Sequence, residues 1–274
     1  MPVGLTLFTQ SERTRKSGPD MAQNDSDIAL AARLWDVPAA LVLLTRLPMP
    51  ALPDHAFAQG ARAVWAYPVV GLVLGGLLAL FAATLNTLGL SWPIIAGLTL
   101  GALVMLTGAM HEDGLADTAD GLWGGHDKER RLEIMKDSRI GAYGVLALIV
   151  VMGLRWLGLT EVSWTALIAA LVLSRAMMPP LMLALPHARS TGLSHGVGAP
   201  DMGAVVVALL IGIVGAMLLT GGAGLLAALV AGAVTLCVGL IANAKIGGQT
   251  GDILGATQIL TEIAVLLTLA TIAQ

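Results

Sequence analysis

The sequence predicts an all-α, polytopic integral membrane protein with about seven transmembrane helices and an interfacial or re-entrant N-terminal segment. Three observations predict it. Hydrophobic residues make up 56% of the 274-residue chain and charged ones 12%, about half the charged share of a soluble domain. Apolar windows of about 17–25 residues, the length of a spanning helix, recur seven times. The Lys and Arg residues sort to one side of those windows, as in the positive-inside pattern.

Composition narrows the function classes. Aromatic residues are 4% of the chain while Gly reaches 33, a balance suited to closely packed transmembrane helices. The formal net charge of −3 gives no ground for a nucleic-acid partner. Cys237 stands alone in an apolar run, permits no internal disulfide, and reads as a small buried hydrophobe.

Residues 1–35 are polar, from Ser11-Glu12-Arg13 through Asp25-Ser26-Asp27. No apolar stretch of a secretory signal follows the first basic group. This segment reads as a disordered tail with a short helix near 29–33. Residues 36–274 then form a single membrane-embedded catalytic domain. The apolar patch at 37–44 is too short to span and ends at Thr45-Arg46-Leu47-Pro48-Met49-Pro50. Spans follow at 63–85, 91–110, 141–160, 162–185, 203–220, 223–242 and 253–272.

A cytoplasmic N-terminus puts every Lys and Arg outside the spans, from Arg13 to Lys245, on the cytoplasmic side. Arg155 and Arg175 fall within spans, and the C-terminus ends outside. The polar segments 45–62, 111–140, 186–202 and 243–252 then share the cytoplasmic face, where any chemistry is expected.

The densest signal is His111-Glu112-Asp113-Gly114-Leu115-Ala116-Asp117-Thr118-Ala119-Asp120-Gly121. Asp113, Asp117 and Asp120 fall within about a 60° arc of one helix face. Like charges stacked there repel, and a hard divalent cation offsets them. Mg²⁺ suits oxygen ligands and takes one or two carboxylates plus substrate phosphate. The three aspartates are therefore the predicted metal ligands and catalytic carboxylates. A merely solvated acidic helix end is the alternative.

Two further segments complete the expected site. In Lys128–Gly141, the cations suit lipid head groups, and Lys136, Ser138 and Arg139 also suit a diphosphate. In Gly247-Gly248-Gln249-Thr250-Gly251-Asp252, backbone N–H groups at a helix N-terminus favour an anion. Simple capping by Thr250 or Asp252 is the competing account. Asp252 is expected to face the acidic helix across one active site. His55, His126 and His187 read as loop residues, and His111 and His195 as structural ones.

The stretch Asp113–Gly121 resembles the signature of the cobalamin synthases, adenosylcobinamide-GDP ribazoletransferases. Thr45–Pro50, Leu132–Gly141 and Gly247–Asp252 with Leu254-Gly255-Ala256 match the family pattern in the same order. Glu112 stands where that pattern has an apolar residue and is left out of the metal set. The resemblance implies a transferase that joins adenosylcobinamide-GDP to α-ribazole, or its 5′-phosphate, and releases GMP with Mg²⁺. It implies residence in the inner membrane of a prokaryote, within the lipid bilayer, and leaves a homo-oligomer open. It also implies that Arg46, Lys136, Ser138, Arg139, Gly247, Gly248, Thr250 and Gly251 bind substrate phosphate. CDP-alcohol phosphotransferases share the acidic-helix chemistry but carry a different Asp spacing. A secondary transporter is the non-enzyme alternative, though no internal repeat supports it.

Overall fold

The computed structural model describes residues 34–53, 56–57 and 60–273. The expected polar tail and its short helix lie outside the described residues, apart from Leu34 and Trp35, which form a turn. The short apolar patch is helix α1 (Asp36–Leu44). A 3₁₀ segment (Gly60–Ala66) then runs directly into α2 (Tyr67–Thr87). There follow α3 (Trp92–Thr107), α4 (Met110–Gly124), α5 (Lys128–Ile134), α6 (Ala142–Glu161) and α7 (Trp164–Ala176). The chain closes with α8 (Met178–Ala184), α9 (Leu193–Val197), α10 (Met202–Thr220), α11 (Gly222–Ile246) and α12 (Gly251–Ala273).

Among the described residues, six helical runs are long and apolar enough to cross a membrane: Gly60–Thr87, Ala142–Glu161, Trp164–Ala184, Met202–Thr220, Gly222–Ile246 and Gly251–Ile272. The span expected at 91–110 differs from them. Helix α3 has 16 residues, about 24 Å at 1.5 Å per residue, short of a hydrocarbon core about 30 Å thick. It qualifies only together with α4, from which it is bent by 87°. The bend has a local cause. Gly108 (φ 64°) and Ala109 (φ 58°) are both left-handed. Glycine adopts that conformation freely, whereas for Ala109 it costs about 1–2 kcal/mol. That strained residue immediately precedes the acidic helix.

Helices α7 and α12 form the centre. Helix α2 lies along α7, and α12 packs against α4, α6, α7 and α11. Close approach depends on small residues four apart. A Cβ at Gly71 would collide with the Leu171 backbone, and one at Gly75 would lie 2.9 Å from the Ile168 Cα. Such small-residue spacing lets helices meet where lipid offers no hydrophobic drive. The outer helices α6, α10 and α11 turn Leu146, Ile149, Leu210, Leu218, Leu229 and Leu236 outward. Cys237, expected to be buried, is exposed on α11. An apolar run facing lipid does not need protein cover.

Inside this apolar bundle lies a closed ionic network. Arg155 on α6 bonds Glu112 on α4 at 2.6 Å and Glu262 on α12 at 2.8 Å. Glu262 also accepts from Arg175 on α7 at 2.8 Å and from Gln258 at 2.7 Å. Ser174 joins through Arg175 and Gln258. Two arginines are thus balanced by two glutamates, as burial of charge requires. This accounts for Glu112, whose charge pairs with Arg155 rather than entering the metal set.

The polar segments meet at one end of the bundle, and the C-terminal half of α4 reaches that end. Asp120 reaches the first turn of α6. Leu122 accepts from Lys245 near the end of α11 at 2.7 Å. Gly114 touches the first turn of α12. Helix α4 is therefore not one of the spans: it runs between α6 and α12, from Glu112 inside the bundle to Leu122 at its polar end.

Candidate active site

The crossing of α4 over α12 builds the site. Both helices carry glycine at the contact. A Cβ on Gly114 would lie 3.0 Å from the Asp252 carbonyl oxygen, and one on Gly255 would lie 3.3 Å from the His111 Cα. With only hydrogen there, the backbones approach and the flanking carboxylates turn to a common space. Asp113, Asp252, Arg189, His111, Tyr67 and Ser194 share the wall of a cavity of about 120 Å³. The expected meeting of Asp252 with the acidic helix is thus present, across 139 residues of chain.

Asp117 stands one turn along α4 from Asp113. Partial burial raises its carboxyl to about 7, helped by the like charges of Asp113, Asp252 and Asp120 and opposed by Arg189. An ordinary aspartate sits near 3.9. The acidic group is therefore self-repelling, as its spacing on the helix implied.

Asp120 departs from the expected set. Its two oxygens accept from Gly141 N–H at 2.7 Å and Gly144 N–H at 2.9 Å. Buried against α6, it satisfies two donors of that helix's first turn and complements its positive end. The sequence placed it on the metal-binding face; the structure uses both its oxygens as a cap. Among the described residues, no group of three or more His, Cys, Asp or Glu side chains is placed to hold a metal ion.

The expected phosphate-binding cations also lie elsewhere. Arg139 forks onto Asp137, its own neighbour, at 2.7 Å on the exposed surface. Lys136 and Ser138 are exposed in the same connection. None of the three lines the carboxylate cavity. Arg46 lies over the α3–α4 corner, where a Cβ on Gly108 would meet its side chain, and it too is outside the cavity wall.

The glycine-rich turn is partly used structurally. Gly247, left-handed at φ 69°, ends α11. Gln249 donates its N–H to Pro186 at 2.8 Å and accepts from Ala188 at 2.9 Å, which docks the 186–198 loop beside Gly248. Thr250, not Asp252, caps α12 by accepting the Ile253 N–H at 3.3 Å. Asp252 is left to face the cavity, and Gly251 joins its wall.

Arg189 is the residue that sequence reasoning missed. It holds Asp252 through Nη2 at 3.0 Å. Its Nη1 is buried without a partner, and a buried donor in that state is costly unless an acceptor arrives. Its only sequence signal was its position in a polar segment, 186–202, on the same side as the acidic helix. His111 was read as structural. It is buried, lines the cavity, and leaves Nε2 unpaired.

Carboxylates beside an arginine with a free arm suit a phosphate ester held for displacement. The chain matches the family described as cobalamin-5-phosphate synthase over residues 36–270. The chain belongs to that family. Curated relatives named adenosylcobinamide-GDP ribazoletransferase include one from Mesorhizobium japonicum, 43% identical over 85% of this chain and 92% of its own. The relative from Bradyrhizobium diazoefficiens is 44% identical over 86% of this chain and 93% of its own. That from Rhizobium meliloti is 42% identical over 86% and 97%. No solved structure matches the chain. As a family member the protein is a transferase of cobalamin biosynthesis. The family match covers α1 to α12, so the cavity residues all lie inside it.

Proposed function

We propose that the protein joins adenosylcobinamide-GDP to α-ribazole, or to its 5′-phosphate, at the cytoplasmic face of a bacterial inner membrane. The observation that carries this is the cavity in which Asp113, Asp252 and Arg189 converge beside Asp117. In the reaction a ribose hydroxyl attacks the corrinoid-side phosphorus of the diphosphate. The new P–O bond forms as the bond to GMP breaks. The hydroxyl proton passes to a carboxylate of the cavity, and GMP leaves carrying the bridging oxygen. Such displacement is governed by alignment and charge stabilisation.

The residues have separable roles. Arg189 offers its unpaired Nη1 to a diphosphate oxygen while Nη2 orients Asp252. A planar guanidinium suits that double task. One or two of the carboxylates Asp113, Asp117 and Asp252, together with substrate phosphate, would hold Mg²⁺, and Asp120 keeps α4 against α6. One or two carboxylates fit that ion, since Mg²⁺ usually completes its shell with water and substrate phosphate. The mutual repulsion at Asp117 supports the same fit. When bound, Mg²⁺ neutralises charge on the diphosphate.

The test is GMP release by purified protein in lipid, supplied with the GDP-activated corrinoid and α-ribazole. Activity should vanish with a chelator and return with Mg²⁺. Asp117→Asn should lower turnover by at least about 10²-fold. No GMP release from well-folded protein, or near-normal turnover of Asp117→Asn at saturating Mg²⁺, would overturn the reading.

A further inference from the structure

A second cavity adjoins the carboxylate cavity. Leu43, Tyr67, Leu193 and Val197 line both. The second has a volume of about 390 Å³, at the small end of the usual range for ligand pockets, about 300–1,000 Å³. Its remaining wall is small and apolar, with Ala39 and Ala40 of α1, Phe57, and Gly60 and Ala63 of the 3₁₀ segment. Among the described residues no charged side chain lines it, and Tyr67 is its single polar side chain. Tyr67 is 2% exposed and its hydroxyl makes no hydrogen bond to any described residue. A buried tyrosine ordinarily finds a partner for its O–H.

We infer that this chamber seats the aromatic base of the ribazole acceptor, while the ribose reaches back to Asp113 and Asp252. The inference rests on the reaction proposed above. The acceptor has two parts, a flat apolar bicyclic base and a polar sugar. The two cavities repeat that order, apolar and then acidic, with Tyr67 at their junction. The other groups in the reaction do not fit the chamber. Guanine presents donors and acceptors around its edge, and the described residues of the wall offer them one side-chain hydroxyl. A corrin macrocycle with its amide arms exceeds the volume. A dimethylbenzimidazole joined to ribose has one free ring nitrogen, an acceptor, and is otherwise apolar. One O–H donor in an apolar wall matches it, and the Tyr67 hydroxyl donates to that nitrogen. The chamber is therefore the element that selects the base.

Two variants test this in the full-length protein in lipid. At Gly60, the nearest described atoms to an added Cβ belong to Val197, at ordinary contact distances from 3.5 Å. Gly60→Leu therefore fills the chamber without forcing the backbone. It should raise the KM for α-ribazole at least about tenfold, leave the KM for the GDP-corrinoid within about twofold, and impair an imidazole riboside less. Tyr67→Phe removes only the O–H and should raise the KM for α-ribazole about fivefold to tenfold. It should not change the KM for the corrinoid. Equal loss for large and small bases in Gly60→Leu, together with an unchanged ribazole KM in Tyr67→Phe, would overturn the chamber assignment and leave the reaction standing. Wild-type protein that never consumes α-ribazole would overturn both.

Discussion

Replacing Arg155 by methionine removes the hub of the buried network and keeps most of its volume. The side chain is 1% exposed and bridges Glu112 at 2.6 Å and Glu262 at 2.8 Å, with a third bond from Nε to Glu262 at 3.0 Å. In Arg155→Met, Glu262 keeps Arg175 and Gln258. Glu112 keeps nothing, because its other oxygen already lacks a partner. Breaking a buried pair by removing one member costs about 3–5 kcal/mol. At about 2–4 °C per kcal/mol for a chain of this size, the melting temperature should fall by about 6–20 °C.

The structure also sets an order among the variants. Glu262→Gln strips a charge from two arginines and should cost at least as much as Arg155→Met. Glu112→Gln leaves Arg155 on Glu262 and should cost less than either. Adding Glu112→Gln to Arg155→Met removes the stranded carboxylate and should restore part of the loss. The assay is thermal unfolding in detergent, followed by tryptophan fluorescence. A melting temperature of Arg155→Met within about 2 °C of wild type would refute the view that these charges are buried and mutually dependent. So would a double variant less stable than Arg155→Met alone.

Further outcomes follow from the same contacts. Asp120→Ala should lose two buried bonds to backbone N–H groups, about 1.5–3 kcal/mol each for a charged acceptor. Thermal unfolding should show the drop, and Asp120→Asn should retain part of the stability. Asp252→Asn should melt like wild type because Thr250 caps α12. Its GMP release should nevertheless fall by at least about tenfold; normal activity would return Asp252 to a purely local role. Arg189→Met should raise the KM for the GDP-corrinoid at least about tenfold through loss of a charged donor. An unchanged KM would remove Arg189 from diphosphate binding. Leu88 is 69% exposed at the end of α2. In a Cys237→Ala background, Leu88→Cys should react with an impermeant thiol reagent from outside the cell, and labelling only from the cytoplasm would invert the topology.

The spans were legible because membrane insertion depends on length and apolarity, which are properties of a window. Helices α2, α6, α10, α11 and α12 fall where those windows lie. The exception, α3, is equally apolar but is stopped by two consecutive left-handed residues, and Ala109 gives no sign of this in its residue type. The acidic helix was legible as a face, because the arc of Asp113, Asp117 and Asp120 follows from helix geometry alone. What each carboxylate faces does not follow from it. Asp120 meets α6 and becomes a cap, whereas Asp113 meets α12 and opens on the cavity. The difference arises from the crossing at Gly114 and Gly255, a tertiary contact between segments more than a hundred residues apart. Arg139 shows the converse. Its motif is dense in charge, but a nearer partner, Asp137, takes the guanidinium. Arg189 stands in an unremarkable loop and reaches the cavity because Gln249 and Pro186 dock that loop on the glycine-rich turn. Charge density along the sequence therefore found the polar end of the bundle. Backbone pairing between distant loops decides which of its charges enter the site.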